Sequence, residues 1–162
     1  MLKIAQRTEG GLTEMAAVFS KILCPIDFEH DSMDALGLAC RLAKQNSATV
    51  YLLTVIGAPP PAAAALPPVA LNPNPEFEAE CIRRLEVIAR ERLAGASHEI
   101  FVATGNAAPE ILNLTAAQGI DLIVMGTHGR TGLKHFLLGS VAEHVVRQSP
   151  VPVLTIHPKA AG

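Results

Sequence analysis

Five short apolar runs, kept apart by amphipathic or irregular segments, constrain this chain more than any other feature. Residues 20–26 (SKILCPI), 49–56 (TVYLLTVI), 98–103, 121–125 (DLIVM) and 151–156 (VPVLTI) read as strands. The second is apolar and β-branched almost throughout, which suits a strand buried on both faces. Helical periodicity fills the gaps between them. Residues 32–46 carry Leu36, Ala39, Cys40 and Ala43 on one stripe, with Ser32 as the expected N-cap. Residues 76–93 place Phe77, Cys81, Leu85 and Ile88 on another. A third helix takes Pro109 into its first turn and ends near Gly119, and a fourth runs from Ser140 to about Gln148. Apolar strands alternating with amphipathic helices predict one doubly wound α/β domain, a five-stranded parallel sheet with helices on both faces. Right-handed crossovers then favour strand order 3-2-1-4-5.

The domain is expected over residues 20–158, between an N-terminal tail at 1–19 and a short C-terminal tail at 159–162. Residues 12–19 read either as part of that tail or as a short surface helix. Seven of the twelve prolines fall within residues 57–75, too many for helix, so a long Pro/Ala-rich loop is expected there. The apolar stretch from Ala62 to Leu66 inside it is fenced by prolines and too short to span a bilayer. Hydrophobic residues at 49% and charged residues at 17% describe a folded globular chain. A net charge of −2 and a pI near 6.3 give no reason to expect a nucleic acid or an anionic membrane as partner. Cys24, Cys40 and Cys81 all fall at apolar positions and read as reduced core residues, a redox or metal role being the alternative. No CxxC or HExxH occurs, and the N-terminal residues hold no long apolar stretch of the secretory kind. A cytoplasmic location is therefore expected.

In a sheet of that order, ligands bind beyond the carboxyl ends of the strands where the winding reverses, between the first and fourth strands. Asp27 ends the first strand, and a glycine-rich loop beginning at Gly126 ends the fourth. Glycines at 126, 129, 132 and 139 permit positive φ and let backbone amides approach an anion. Ser140 and Glu143 stand at the S-x-x-E spacing of a capping box. The helix they open presents its amides and positive dipole end as a phosphate site, with Arg130 and Lys134 as charge at the rim. Each part has a plainer reading: Gly126 as a strand-end turn, Gly139-Ser140 as a helix cap, Asp27 as the cap of a strand or turn. His128 and His135 lack a carboxylate or nucleophile partner in the sequence and read as loop histidines rather than acid–base groups. Together, the four glycines and the helix start at a switch point favour phosphate binding, with Asp27 available to a ribose or base edge.

Gly126-x2-Gly129-x9-Gly139-Ser140 resembles the G-2x-G-9x-G-[ST] motif of ATP-binding universal stress proteins. KILCPIDF is similar to that family's first strand, which ends in Pro-x-Asp, while TGNAAPEIL resembles a helix entry and VPVLTI the last strand. The likeness spans roughly residues 20–158 and departs in the N-terminal tail and the 57–75 loop. It implies that Asp27, with the backbone around Pro25, Ile26 and Val55, holds adenine and ribose. It implies that Met125, Gly126, Gly129, Arg130, Gly139, Ser140 and Val141 hold ribose and phosphates. The implied ligand is ATP, or ADP or AMP, with Mg²⁺ or Mn²⁺ bridging phosphate oxygens. The implied assembly is a homodimer through the C-terminal strand 151–156.

The function expected from this is a nucleotide-dependent stress-response regulator, at most a slow ATPase, because the sequence offers no clear general base or water-positioning group. A nucleotide-independent dimeric interaction module is the alternative. An adenylating enzyme of related topology is the less favoured one, since such enzymes carry SGGxDS after the first strand where this chain reads DFEHDS. Neither GxGxxG after the first strand nor GxxxxGK[ST] is present, and no helix-turn-helix, zinc-finger or RNP pattern occurs.

Overall fold

The structure is a computed structural model and describes residues 18–57, 75–127 and 139–157. In chain order its elements are β1 (Lys21–Pro25), α1 (His30–Asn46), β2 (Thr49–Gly57), α2 (Pro75–Arg92), β3 (Ser97–Gly105), α3 (Ala107–Gln118), β4 (Leu122–Gly126), α4 (Ser140–Gln148) and β5 (Val153–Ile156). The strands form one sheet in the order β3-β2-β1-β4-β5, every pair parallel, as the alternation of the sequence requires.

Side chains of successive strand residues point to opposite faces, so each central strand feeds two cores. Ile22, Cys24, Val50, Leu52 and Val124 pack under α1 and α2. Leu23, Tyr51, Leu53, Ile123 and Met125 pack under α3 and α4. Burial on both faces is why β1, β2 and β4 read as continuous apolar runs. Leu36, Ala39, Cys40 and Ala43 are all buried on α1, and Cys81 and Leu85 on α2. The three cysteines are free thiols in the core, and burial pushes the Cys24 thiol far above its ordinary pKa. Among the described residues, no helix is long and apolar enough to cross a membrane.

Several local expectations change. Helix α1 begins at His30, not Ser32, and its N-cap is Glu29. Ser32 is buried one turn in, and its hydroxyl donates to the Glu29 carbonyl at 2.9 Å. Phe77 was expected on the buried stripe of α2 but is half exposed, because the helix has only just begun there and core contact starts at Cys81. The last strand forms at Val153, after Pro152, whose carbonyl accepts the Ile123 amide at 3.0 Å. Asp121, expected as the first residue of the fourth strand, sits below it as a clamp. Its carboxylate accepts the Ser20 and Lys21 amides at 2.7 and 3.1 Å. The amino ends of β1 and β4 are thus tied together by structural polar contacts.

Candidate functional site

Strand β1 lies at the reversal of winding. Its register with β2 continues to Pro25↔Leu53, whereas its register with β4 stops at Leu23↔Ile123. From β1 the chain enters α1 on one face of the sheet; from β4 it goes on to α4 on the other. Two adjacent strands whose pairing ends early and whose continuations diverge mark the switch point at which sheets of this kind form a crevice beyond their carboxyl ends.

The β1 side of that crevice is fixed from β2. The Ile26 amide donates to the Leu53 carbonyl at 2.8 Å, and the buried Thr54 hydroxyl donates to the Ile26 carbonyl at 2.9 Å. Pro25 has no amide hydrogen and the Ile26 amide is already bonded, so the side chain the β1 end can offer a ligand is the partly exposed Asp27 carboxylate, beside the remaining backbone groups. Asp27 Oδ1 accepts the Glu29 amide at 3.0 Å, which shapes the turn into α1. Between them Phe28 has φ 69°, a left-handed conformation uncommon for an aromatic residue. Its ring carries the Arg84 guanidinium of α2, 3.8 Å from the centroid.

The β4 side is built on close approach. An added Cβ on Gly126 would lie 2.8 Å from Asp31 Cβ and 2.9 Å from the Asp31 carbonyl carbon. The first turn of α1, just beyond Asp27, therefore rests directly on the end of β4. Gly126 is a glycine for this contact; its φ is not positive, so the conformational freedom the sequence permits there goes unused. Thr127 then anchors the exit. Its amide donates to the Ile156 carbonyl at 3.0 Å, and its hydroxyl lies 3.1 Å from His157 Nδ1. Its carbonyl accepts the Gly139 amide at 2.7 Å. That last bond brings together the two ends of the intervening segment, so the glycine-rich stretch leaves and re-enters at one point.

Gly139 is the N-cap of α4, with φ −60° and ψ 151°, an extended conformation that makes no use of a positive φ. The capping box does not form: no side chain caps the helix, Ser140 is its first residue, and Glu143 pairs with Arg147 at 3.2 Å. The Glu143 amide bonds to the Gly139 carbonyl at 2.9 Å and is the first to bond within the helix. The amides of Ser140, Val141 and Ala142 thus head α4 with no acceptor inside it, at the positive end of its dipole.

Of the residues singled out from sequence, Pro25, Ile26, Asp27, Val55, Met125, Gly126, Gly139, Ser140 and Val141 all belong to the carboxyl-end side of the sheet or the start of α4. Met125 and Ile26 are buried there, and Val55 is partly exposed at the end of β2. Gly129 and Arg130, with His128, Gly132, Lys134 and His135, lie outside the described residues. Sequence reasoning passed over Thr54, Thr127, Phe28, Asp31 and Arg84. Only Thr54 left a signal, a hydroxyl inside an otherwise apolar run. A small cavity of about 50 Å³ opens beside Phe28, lined by Thr54, Val55, Phe77 and Arg84. A larger cleft of about 210 Å³ lies away from the crevice, between β3 and α3, against Phe101, Ala103 and Leu114. Among the described residues, no group of three His, Cys, Asp or Glu side chains could hold a metal ion.

A five-stranded parallel sheet of this order, with helices on both faces, defines a doubly wound α/β domain. Residues 19–157 match the model of the Universal stress protein family, and the chain belongs to that family. Universal stress protein YxiE of Bacillus subtilis is 34% identical over 148 residues, covering 86% of this chain and 99% of the relative. Among solved structures, protein MJ0577 superposes with a TM-score of 0.77 at 30% identity, over 88% of this chain and 99% of the other; it is a universal stress protein of Methanocaldococcus jannaschii. The fold is also shared with a universal stress protein in complex with cAMP, TM-score 0.61 at 24% identity, over 86% of this chain and 97% of the other. It is shared too with one from Archaeoglobus fulgidus in complex with dAMP, TM-score 0.61 at 16% identity, over 86% and 98%.

Proposed function

We propose that this universal stress protein binds an adenine nucleotide, ATP foremost, in the crevice between β1 and β4 and acts as a nucleotide-dependent regulator. The observation that carries this is the 2.7 Å bond from the Gly139 amide to the Thr127 carbonyl. It closes the glycine-rich segment at the head of α4, beside the turn that carries Asp27. Phosphates are assigned to the amides of Ser140 and Val141 together with Gly126, Gly129 and Arg130, where the dipole of α4 favours negative charge. Ribose and adenine are assigned to Asp27, Val55 and the neighbouring backbone of Pro25, Ile26 and Met125. Two proteins of the same fold hold adenine nucleotides, cAMP and dAMP. At their sequence distance they share the fold alone, so the ligand class here rests on the motif and the closure at Thr127.

A divalent cation, Mg²⁺ or Mn²⁺, fits this scheme as a ligand of the phosphates. The described protein side chains supply no three-residue metal cluster of their own, so phosphate oxygens would be its main ligands. Regulation rather than turnover is favoured because the sequence offers no clear general base or water-positioning group: Asp27 is assigned to the ribose, and Asp31, beside Gly126, is buried in the first turn of α1. The edge strand β5 is assigned to pairing with its copy in a homodimer.

The test is calorimetric titration with ATP of the wild type and of a Gly129→Ala/Gly139→Ala variant. Gly139 has a backbone conformation that alanine adopts freely, so there the variant alters approach to the ligand without straining the chain. Weakened binding is expected. Unchanged affinity refutes the phosphate assignment, and a wild type that binds no nucleotide leaves an interaction module in its place.

A further inference from the structure

The turn that carries Asp27 contains a residue in an unfavourable conformation, and a different element contacts that residue. Phe28 adopts φ 69°. For a non-glycine residue the left-handed region is disfavoured, so an isolated turn of this sequence would leave it. Packing of the Phe28 ring on the core and the bond from the Glu29 amide to Asp27 oppose that, and two further contacts flank the turn. On one side, Thr54 and Leu53 of β2 fix Ile26 through its carbonyl and its amide. On the other, Arg84 of α2 lies over the Phe28 ring at 3.8 Å. Asp27 stands between the two anchors. Arg84 itself is largely exposed and forms no part of the hydrophobic core.

The geometry points to Arg84 as a positioning residue for the nucleotide site: its stack on Phe28 holds the Asp27 carboxylate in the place where it meets the ribose. This rests on the nucleotide reading above and adds to it a residue from α2, an element that supplies none of the assigned ligand contacts. Val55 and Thr54 line the same small cavity as Phe28 and Arg84, so the stack also borders the side assigned to adenine. Removing the guanidinium takes away one of the contacts that hold Phe28 in its left-handed state, leaving its packing on the core and the Asp27–Glu29 bond. The turn then samples extended conformations, and Asp27 moves with it.

The experiment measures adenosine and ATP affinities of the full chain for the wild type, Arg84→Ala, Arg84→Lys, Phe28→Gly and the Phe28→Gly/Arg84→Ala pair. Loss of an exposed cation–π contact predicts that Arg84→Ala weakens binding about two- to fivefold. The factor is the same for adenosine as for ATP, because the effect travels through Asp27. Arg84→Lys, which keeps a cation over the ring, recovers part of it. In the Phe28→Gly background, where glycine tolerates the positive φ and no ring remains, Arg84→Ala has no further effect. A loss confined to ATP overturns the inference, since it would mark direct phosphate contact. Independent, multiplying effects of the two substitutions also overturn it. Amide hydrogen exchange separates this idea from the nucleotide reading. With no ligand present, Arg84→Ala should accelerate exchange at Glu29, whose amide bonds to Asp27, and leave Ile26 unchanged. If Glu29 exchanges as in the wild type, Arg84 positions nothing, whatever the protein binds. If the wild type binds neither adenosine nor ATP, the nucleotide reading falls, while the exchange result still decides the role of Arg84 in the turn.

Discussion

Gly126 shows how one missing side chain sets the geometry of the crevice. Its Cα faces the first turn of α1, and the nearest atoms to an added Cβ include Asp31 backbone, which cannot rotate away as a side-chain end could. Gly126→Ala should therefore push α1 from β4 and destabilise the fold by about 1–3 kcal/mol, the usual range for overpacking. Urea unfolding reads this as a lowered midpoint with an unchanged slope. A wild-type midpoint would show that the first turn of α1 yields at no cost, and that Asp31 is not held against β4. Ser47 offers the opposite case. It ends α1 at φ 53° on an exposed site where glycine is the favoured residue. Ser47→Gly should raise stability by a few tenths to about 1 kcal/mol, since the left-handed strain disappears and little packing is lost. A lower midpoint for that variant would contradict the assigned cap geometry.

At the scale of elements, most of the fold was legible because the sequence periods are clean. The run TVYLLTVI announces a strand buried on both faces, and Leu36, Ala39, Cys40 and Ala43 announce the inner face of α1. The helix starts were harder, because capping depends on tertiary fit. Ser32 and Ser140 both look like N-caps, yet Glu29 and Gly139 hold those positions, since the turns before them are set by Asp27 and by Thr127. Phe28 and Arg84 lie 56 residues apart in sequence and share no period, so only coordinates could pair them. The β2–β3 pair carries a consequence for pH. Tyr51 faces Glu99 across the parallel ladder and stacks on Phe101, with centroids 5.8 Å apart. Burial first, and the Glu99 carboxylate second, push the Tyr51 phenol above its ordinary value. The folded state therefore binds the phenolic proton more tightly than the unfolded chain. That stability is fully present below the unfolded value near pH 10, and is lost as pH rises through the higher folded value. Unfolding midpoints measured from pH 8 to pH 11 should fall less steeply for Tyr51→Phe than for the wild type. Parallel curves would mean that the Tyr51 phenol is not shifted by folding.

On the scale of the whole molecule, the two edges of the sheet differ. Strand β3 begins with the exposed polar residues Ser97, His98 and Glu99, which discourage edge pairing. Strand β5 reads Val-Leu-Thr-Ile, and Leu154 is 39% exposed. Val146 on the neighbouring helix α4 is 46% exposed, so apolar surface flanks the β5 edge from the helix side as well. An edge with open backbone groups and apolar flanks favours burial against a second copy. The assigned homodimer would also bear on the nucleotide site, because Ile156 of β5 accepts the Thr127 amide at the mouth of the glycine-rich segment. If β5 pairs with its copy, sedimentation should show a dimer whose thermal midpoint rises with protein concentration, as mass action requires. Leu154→Lys should give a monomer with a concentration-independent midpoint, because the new charge is soluble on a free edge and costly in a closed one. Saturating ATP at a hundredfold excess over its dissociation constant should add about 2.7 kcal/mol to either form. For a chain of this size that is an upward shift of about 5–10 °C. A Leu154→Lys protein that stays dimeric would move the interface elsewhere. One that becomes monomeric and loses the ATP-dependent shift would make β5 pairing a condition for forming the site, through the Thr127–Ile156 bond.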